Sequence, residues 1–239
     1  MRITRLSRKT ESPERVESQQ QLQLLQGYGI EGDRHAQPGS PRQVLILDES
    51  TLTDFGLQPG DLQENILLDQ GLAQLQSGQG LQIGAATIRI TFRCEPCAYL
   101  DTLQPGLAKR IGQRRGWLGM VVVGGAIAVG NAVQLAPAQF PPLSDQAKER
   151  FNAFVATIPP GRVVTTKQLI LALGVTPAYY RVLPGFIRRA PPGLPLHRIV
   201  AIDGSLISRH LPTQMQLLAA EGIEIQAGKV ESHFYWQLE

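Results

Sequence analysis

Pro195-Leu196-His197-Arg198-Ile199-Val200 places an imidazole and a guanidinium side by side, directly after a leucine. His197 has two interpretations: it is a buried histidine that Glu221 satisfies and that holds a strand to a helix, or it contacts a ligand directly. Leu196 has no thiol, hydroxyl or ionisable group, so this position cannot supply a nucleophile.

The residues before this segment carry the start and stop signals of two helices. Thr165 is a candidate N-cap for a helix over Thr166 to Leu173, which Gly174 terminates. Thr176-Pro177 restarts a helix with proline at its first position, and Pro184 is expected to kink or break that helix. Two helices joined by a short turn form a helix-turn-helix pattern, whose second helix would enter a groove of DNA.

Positive charge is concentrated in the same region. Basic and acidic residues balance at 13 each in residues 1 to 143, whereas the region from Ile158 to Pro212 has seven basic residues and one acid, Asp203. A concentrated basic face is typical of a protein that binds a phosphate backbone. The alternative is a solvated surface with an accidental excess of positive charge. This alternative is less favoured because the excess coincides with the helix pair.

Residues 148 to 225 resemble the O6-alkylguanine-DNA alkyltransferases. The resemblance rests on segments in this order: Ile158-Pro159-Pro160-Gly161-Arg162-Val163-Val164, Tyr180-Arg181, Pro195-Leu196-His197-Arg198, Asp203-Gly204-Ser205-Leu206 and Leu217-Leu218-Ala219-Ala220-Glu221-Gly222. Leu196 replaces the reactive cysteine, as in the alkyltransferase-like proteins. The resemblance implies a mainly α-helical, winged-helix-like domain with a helix-turn-helix and without alkyltransferase activity.

The same resemblance implies roles for individual residues. Arg181 corresponds to the arginine finger that fills the gap left by an extruded nucleotide, although it could also be an ordinary exposed arginine. His197 and Glu221 correspond to the pair that activates the cysteine through a water. Thr166 stands where the family has a tyrosine that presses on a phosphate, and Pro184 where it has a glycine. The predicted DNA-contacting and lesion-binding residues are Tyr180, Arg181, Thr166, Leu196, His197, Arg198 and Glu221.

A proline-rich segment, Pro137-Ala138-Gln139-Phe140-Pro141-Pro142-Leu143-Ser144, predicts a boundary between two domains. Ser144 at its end is a candidate N-cap for a helix that continues to Thr157. The predicted first domain, linker and second domain are residues 1–138, 139–147 and 148–239.

The first domain is predicted to be β-rich, because short apolar runs alternate with glycines. The predicted strands are Val44–Leu47, Ile66–Leu68, Leu81–Ile83, Ala86–Thr91, Met120–Val123 and Ala132–Leu135. This spacing favours a compact barrel-like domain with few helices. The glutamine-rich segment Gln19–Gln26 is interpreted as a polar loop or a short surface helix.

Residues 1 to 136 closely resemble a MOSC domain, the module at the C-terminus of molybdenum cofactor sulfurases. The matching segments, in order, are Gly29-Ile30-Glu31-Gly32-Asp33-Arg34-His35-Ala36, Arg42-Gln43-Val44, Gly60-Asp61-Leu62-Gln63-Glu64-Asn65-Ile66, Leu81-Gln82-Ile83-Gly84, Cys94-Glu95-Pro96-Cys97, Arg115-Gly116-Trp117, Gly124-Gly125 and Val129-Gly130. The resemblance implies a β-rich barrel with a cysteine that ligates molybdenum or handles sulfur.

Cys94 and Cys97 are the two cysteines of the sequence. They are too few for a disulfide framework, and a zinc site would need distant histidines, so no zinc is expected. By the resemblance, Cys97 is the catalytic cysteine and metal ligand, and Cys94 is its companion. A thiolate is a soft ligand suited to molybdenum or persulfide chemistry. The alternative is a pair of buried hydrophobic residues or a disulfide.

Cationic side chains would lower the thiol pKa and bind the phosphate of a molybdenum cofactor. The candidates for cofactor binding are Lys109, Arg114, Arg115, Arg34 and His35, and Asn65 could shape the pocket by hydrogen bonding. Alternatively, the segment from Lys109 to Arg115 is a solvated helix face, and Asn65 caps a turn.

Two functions follow. In the first, the C-terminal domain senses O6-alkylguanine-type lesions in duplex DNA and recruits repair factors, while the MOSC domain binds molybdenum cofactor or carries sulfur. In the alternative, the chain is a molybdenum cofactor-dependent reductase or sulfur carrier, and its C-terminal domain is a packing or protein-interaction appendage. Thr166 and Pro184 favour the alternative, whereas Arg181 and the His197-Arg198 pair favour the first.

The sequence also predicts where the chain is found. No apolar run approaches the roughly 18 residues that a membrane helix requires, and the start, Met1-Arg2-Ile3-Thr4-Arg5, lacks the apolar segment of a signal peptide. We therefore expect a soluble cytoplasmic protein with no membrane partner.

Overall fold

The computed structural model describes residues 1–10 and 16–237. The chain divides into two compact units, Met1–Asp145 and Gln146–Glu239. The first unit is rich in β-sheet and the second in helices, as the sequence predicts. Across the described residues, no helix combines the length and the apolar character that a membrane crossing requires.

Strands dominate the first unit. Within its described residues they are β1 (Ile3–Lys9), β2 (Val16–Gln19), β3 (Gln21–Leu25), β4 (Gly29–Ile30), β5 (Val44–Asp48), β6 (Ile66–Leu68), β7 (Gln79–Ile83), β8 (Ala86–Arg93), β9 (Trp117–Val123), β10 (Gly125–Ala128) and β11 (Gln134–Ala138). The helices are α1 (Glu49–Phe55), α2 (Tyr99–Leu103) and α3 (Leu107–Ile111), with 3₁₀ turns at Leu72–Gln74 and Gly112–Arg115.

Eight of these strands form one sheet in the order β11-β7-β8-β9-β5-β6-β1-β2, and β10, β3 and β4 form a second sheet. Neighbours are antiparallel except for β5 and β6, which are parallel. Strands β11 and β2 lie at the two edges, and no pairing among the described residues joins them. Five of the predicted strands are present, and the sixth, predicted at Ala132–Leu135, is displaced to Gln134–Ala138. A closed barrel is not part of this strand pairing.

The glutamine-rich segment is a strand, so its interpretation as a loop or helix is wrong. In β3, Leu22 and Leu24 are buried while Gln21 and Gln23 are exposed. Successive side chains of a strand point to opposite faces, so this alternation of leucine and glutamine suits a strand with one covered face. The high glutamine content drew attention away from the alternation of apolar and polar residues that predicts a strand.

Two apolar clusters of the first unit lie on the sheet. The larger includes Ile46, Ile66 and Ile88, each fully buried. The smaller consists of Leu45, Phe92, Cys94 and Leu118, with the partly buried Leu143 packed against it. The smaller cluster places the Cys94 thiol at an apolar surface of β5, β8 and β9.

The second unit has helices joined by short strands. Its elements within the described residues are α4 (Ala147–Thr157), β12 (Val164–Thr165), α5 (Thr166–Leu173), α6 (Leu183–Arg188), β13 (Ile199–Val200), α7 (Gln214–Ala220), β14 (Ile225–Gln226) and β15 (Lys229–Val230). The 3₁₀ turns are Pro177–Arg181, Leu196–Arg198 and Ser232–Phe234. β12 pairs in parallel with β13, and β14 pairs with β15 in an antiparallel hairpin.

Helix α4 begins later than predicted. Gln146 is its N-cap, and the helix ends at Thr157 as expected. Asp145 Oδ1 accepts from the Arg93 amide at 2.8 Å, which holds the preceding residue outside the helix. The prediction of Ser144 as the N-cap is therefore wrong.

The first helix of the predicted pair is confirmed, and the second is divided. Thr165 and Gln168 form a capping box at the start of α5, and Gly174 ends the helix with φ 60°. The second helix is a 3₁₀ turn, Pro177–Arg181, followed by the short α6. Pro184 lies in the first turn of α6, where a missing N–H leaves no helical hydrogen bond unmade.

Candidate functional site

Glu221 is the centre of a hydrogen-bonded network in the second unit. Its Oε1 lies 2.7 Å from His197 Nε2 and accepts from Arg198 Nη2 at 2.6 Å. Arg198 Nε lies 3.0 Å from both carboxylate oxygens, and the Gly161 amide donates to Oε2 at 3.0 Å. Arg198 Nη1 also donates to the Ile158 carbonyl at 2.6 Å. Arg198 thus connects Glu221, at the C-terminal end of α7, to Ile158, which directly follows α4.

The Glu221 carboxyl stays ionised in this network. Burial raises its pKa, but the hydrogen bonds from Arg198, His197 and the Gly161 amide outweigh that effect and lower the pKa to about 2. A carboxylate with so low a pKa is a weak base. The geometry matches the interpretation of His197 as a histidine that Glu221 satisfies, while direct contact between His197 and a ligand stays a prediction.

Gln214 supports the same segment, a role that was not predicted from the sequence. Its side chain is fully buried, and Nε2 donates to the carbonyls of His197 at 3.0 Å and Ile199 at 2.7 Å. Its Oε1 accepts from the Ile207 amide at 2.7 Å. A polar residue among the apolar positions of α7 was the available signal, because a buried amide must find partners.

Leu196 starts the 3₁₀ turn that carries His197 and Arg198. Its side chain is partly buried and packs against the apolar cluster that includes Leu169 and Ile199. The structure therefore puts an inert aliphatic group immediately before the His-Arg pair.

The remaining predicted DNA contacts lie on the helix pair. Arg181 is exposed at the end of its 3₁₀ turn, and Tyr180 is partly buried against the apolar cluster. Thr166 is the first residue of α5 and is half-buried. No hydrogen bond within the described residues connects these three side chains with Glu221, so they are separate from that network.

A second polar network surrounds Asn65 in the first unit. The buried Lys9 Nζ donates to Asn65 Oδ1 at 3.1 Å, and Asn65 Nδ2 donates to Asp33 Oδ2 at 2.9 Å. Asn65 also binds the backbone of Ser7 and Leu45. Asn65 therefore makes the kind of hydrogen bonds that were expected of it, and its role in shaping a pocket stays a prediction. Burial lowers the pKa of Lys9 to about 8, although the charge of Asp33 acts in the opposite direction.

Arg34 and His35 border this network. The Asp33 carboxylate accepts from the His35 amide at 2.8 Å, and Arg34 Nε lies 3.2 Å from His35 Nε2. His35 keeps part of its surface exposed, yet desolvation of its ring and the charge of Lys9 lower its pKa to about 4. The imidazole is therefore neutral at neutral pH.

Cys94 is buried and Cys97 is exposed, and both are free thiols. Arg42 Nη2 lies 3.9 Å from Cys94 Sγ, and the Cys94 amide donates to the Gly116 carbonyl at 2.8 Å. The structure thus brings Cys94 to the cations, whereas Cys97 lies at the surface just before α2. Among the residues that the structure describes, no cluster of three His, Cys, Asp or Glu side chains could hold a metal.

Arg115 is buried near Lys9. Its side chain is 5% exposed, and Nε and Nη1 have no hydrogen-bond partner within the described residues. Its charge acts on Lys9 and on the buried Glu64. Glu64 Oε1 accepts from the Gly60 amide at 2.5 Å. Its Oε2 is buried and has no hydrogen-bond partner among the residues that the structure describes.

Lys109 and Arg114 differ from the other predicted cofactor-binding cations. Lys109 is exposed on α3. Arg114 pairs with Asp54 at 2.7 Å and lines a cavity of about 440 Å³ together with Arg93 and Trp117. No hydrogen bond in the described residues joins either side chain to Asn65 or Cys94. The position of Lys9 beside Asn65 and the contact of Arg42 with Cys94 were not predicted from the sequence.

Two family models match the chain. The MOSC domain matches residues 38–134, and the DNA-binding domain of 6-O-methylguanine DNA methyltransferase matches residues 146–223. A sequence search of curated proteins gave no match.

Several solved structures are similar to the chain at low identity. YuaD from Bacillus subtilis is 16% identical over 56% of this chain and 94% of its own, with a TM-score of 0.49. YiiM from Escherichia coli is 18% identical over 77% and 92%, with a TM-score of 0.46. S. pombe Atl1, solved with damaged DNA containing O6-carboxymethylguanine, is 24% identical over 39% and 97%, with a TM-score of 0.34. The two family matches follow the order of the two units, and the chain therefore combines a MOSC domain with a DNA-binding domain of the 6-O-methylguanine DNA methyltransferase family.

Proposed function

We propose that the second unit binds O6-alkylguanine in duplex DNA and leaves the alkyl group in place. The observation that carries this proposal is Leu196 at the position of the nucleophile, beside an intact network of His197, Arg198 and Glu221. Alkyl transfer requires a thiolate at that position, and leucine has none. The retained network would hold the pocket wall in place for a flipped base.

Exposed basic residues support contact with the DNA backbone. We propose that α5 and the segment from Pro177 to Arg188 face the DNA as a divided helix-turn-helix, with β14 and β15 as a wing. Arg181 is the candidate finger, because an exposed guanidinium next to the helix pair could replace the contacts of an extruded nucleotide. Lys167 and Arg189 are exposed near it in sequence and could bind phosphates. Repair factors would then recognise the complex.

The test compares one duplex with and without a single O6-methylguanine. We expect tighter binding of the modified duplex at physiological salt and an Arg181→Ala variant that loses this preference. Arg110→Ala, which removes an exposed arginine of the first unit, is the matched control and should keep the preference. Equal affinity of the unmutated chain for both duplexes would overturn the proposal and favour the second unit as a packing or interaction appendage.

For the first unit, we propose binding of a molybdenum cofactor, or transfer of sulfur, at the Cys94–Cys97 segment. The observation that favours this function is the set of cations at Cys94, where Arg42 lies 3.9 Å from the thiol and the buried Lys9 and Arg115 are near. We also propose that the eight-stranded sheet curves as a MOSC-type barrel around the polar network.

The residues present fit an anionic, thiolate-bound cofactor. Arg115 offers buried N–H groups that have no hydrogen-bond partner among the described residues, and a soft thiol suits molybdenum. Cys97 would ligate the metal, while Arg34, Arg115 and Lys9 would neutralise a phosphate. When bound, the cofactor would supply two-electron redox chemistry. The chain's own residues would orient it and, through the apolar cluster at Cys94, exclude water from one side.

This proposal is tested with protein produced in a molybdenum-replete host. We expect molybdenum or pterin to copurify with the chain, Cys97→Ser to lose it, and an exposed-serine control, Ser208→Ala, to retain it. Absence of both from unmutated protein, together with failed reconstitution, would contradict the proposal.

A further inference from the structure

A cavity of about 440 Å³ in the first unit is lined by residues of α1, of the 3₁₀ turn Leu72–Gln74 and of β9. The buried side chains of Trp117 and Leu72 form apolar walls, and Arg93 and Arg114 are among its polar residues. Pockets for small ligands span roughly 300–1,000 Å³. The cavity is therefore large enough for a compact organic molecule.

This cavity and the Cys94 thiol lie on opposite faces of the sheet. Phe92 and Cys94 belong to the same small apolar cluster, whereas Trp117 belongs to the larger one. Arg93, between Phe92 and Cys94, places its guanidinium carbon 4.9 Å from the centre of the Trp117 ring. Because successive side chains of a strand point to opposite faces, a ligand in this cavity would meet Arg93 and not the thiol.

The arginines of the cavity have hydrogen-bond donors to spare. Arg93 Nη1 donates to Gln113 Oε1, and within the described residues its Nε and Nη2 donate to no acceptor. Arg114 pairs with Asp54 through Nη2 alone, at 2.7 Å. No carboxylate of the described residues pairs with Arg93, so its guanidinium is the cation that a ligand can engage without breaking an ion pair.

The carboxylate oxygens of the cavity are largely occupied. Asp48 Oδ1 accepts from the Ser50 hydroxyl at 2.9 Å and from the Thr51 amide and hydroxyl at 3.2 and 3.0 Å. Its Oδ2 accepts from the Leu72 amide at 3.1 Å, and Asp54 has its own ion pair. Free donors therefore outnumber free acceptors, which suits a ligand that brings acceptor oxygens.

We infer that this cavity binds a small monocarboxylate with an apolar body, and that Arg93 holds the carboxylate. A guanidinium presents parallel N–H donors that match the two oxygens of a carboxylate, while Trp117 and Leu72 would contact the apolar body. Two arginines and two aspartates line the cavity, so a phosphate dianion would meet stronger repulsion from Asp48 and Asp54 than a single negative charge. The inference goes beyond the functions proposed for both units.

Calorimetric titration of the whole chain with benzoate tests this inference, and benzamide is the neutral ligand of similar shape. We expect saturable binding of benzoate and at least a tenfold weaker binding of benzamide, because the amide keeps the ring but lacks the charge. Hexanoate shows whether a flexible body also fits, and inorganic phosphate at the same ionic strength should not displace benzoate. Binding of neither carboxylate, equal affinity for benzamide, or displacement by phosphate would overturn the inference.

Variants assign the binding to the cavity. Arg93→Gln should weaken benzoate binding at least tenfold, and Arg93→Lys should restore only part of it, because an ammonium lacks the paired donors. Arg110→Gln removes an exposed arginine of the same unit and should bind as the unmutated chain does. Ala73→Phe, at an exposed position of the cavity wall, should block binding while leaving Arg93 in place, and it serves if Arg93→Gln does not fold. Full binding by either folded variant, Arg93→Gln or Ala73→Phe, would contradict the site.

Trp117 can report directly on occupancy of the cavity. The sequence has two tryptophans, and Trp236→Phe removes the other one while keeping an aromatic ring against Phe154. In this variant, benzoate should change the fluorescence of Trp117 with the midpoint that calorimetry gives. Unchanged emission at saturating benzoate would show that the ligand binds elsewhere and would refute the inference.

Discussion

The Glu221 carboxylate has a structural role, although Leu196 leaves its network without a nucleophile. Its oxygens accept from Arg198 and Gly161 and contact His197, so the residue joins a helix end, a turn and the segment around Leu196. The sequence could indicate the His197 pair through a family resemblance. It could not indicate that Arg198 occupies the same carboxylate, because that geometry depends on how α7 packs against β13.

Removing the Glu221 charge should destabilise the second unit in a pH-dependent way. Its pKa falls from an ordinary 4.5 to about 2, which corresponds to about 3 kcal/mol of stability at neutral pH. Because the folded pKa is depressed, this contribution is complete above pH 4.5 and is lost as the pH falls towards 2. We expect Glu221→Gln to lose about 2 to 4 kcal/mol at pH 7 in urea unfolding.

The control for this measurement is Glu224→Gln, which alters an exposed carboxyl three residues away. It should retain the acid-dependent loss of stability. A Glu221→Gln variant with the same pH profile as the unmutated chain would contradict the assignment of Glu221 as the ionised anchor.

The buried charge of Lys9 should lower the stability of the first unit at neutral pH, whereas the charge of Glu221 raises the stability of the second. Burial lowers its pKa from 10.5 to about 8, so the unfolded chain binds more protons between these values and stability rises with pH across that window. Lys9→Met removes the buried charge but also the hydrogen bond to Asn65, and we expect a net gain of about 1 to 2 kcal/mol at pH 7. Urea unfolding at pH 7 and pH 10 measures the rise of stability with pH in the unmutated chain and the gain in Lys9→Met. A Lys9→Met variant that is less stable than the unmutated chain at pH 7 would contradict the expectation.

At the scale of elements, the sequence predicted those helix ends that depend on interactions between residues close together in the chain. The capping box of Thr165 and the left-handed Gly174 both act within a few residues, so α5 could be read from the sequence. The start of α4 could not, because a contact between Asp145 and Arg93, far apart in sequence, decides it. Strand β3 was not predicted, because its glutamine-rich composition was given more weight than the alternation of leucine and glutamine along it.

Pro184 distinguishes a divided helix from a kinked one. In α6 it occupies the first turn, so Pro184→Ala should change the unfolding free energy by less than about 1 kcal/mol. A gain of about 3 kcal/mol would instead indicate that proline interrupts a continuous helix. Gly174→Ala is the comparison, and we expect it to cost about 1 kcal/mol because the residue has φ 60°.

For the whole molecule, the sequence predicted the division into a sheet-rich and a helical unit because composition and periodicity change along the chain. The domain limits at 138 and 148 stay a prediction; the compact units meet at Asp145 and Gln146. The candidate sites were only partly predictable. Cys94 and Arg115 were named, but Lys9 is far from both in the sequence, and no local pattern connects them.

Each unit has apolar clusters of its own. We therefore expect Glu221→Gln and Lys9→Met to affect different unfolding transitions in calorimetry, the first lowering one midpoint and the second raising the other. The double variant should show both shifts with little interaction between them, because distant substitutions are usually additive. Movement of both midpoints by either single variant would contradict this independence.

The most direct test of the central claim is the affinity of the whole chain for a duplex with one O6-methylguanine, measured with the methyl group labelled. The account predicts a complex at least several times tighter than that with the unmodified duplex, and full recovery of the label on DNA after prolonged incubation. Equal affinities for the two duplexes, or label transferred to the protein, would contradict it.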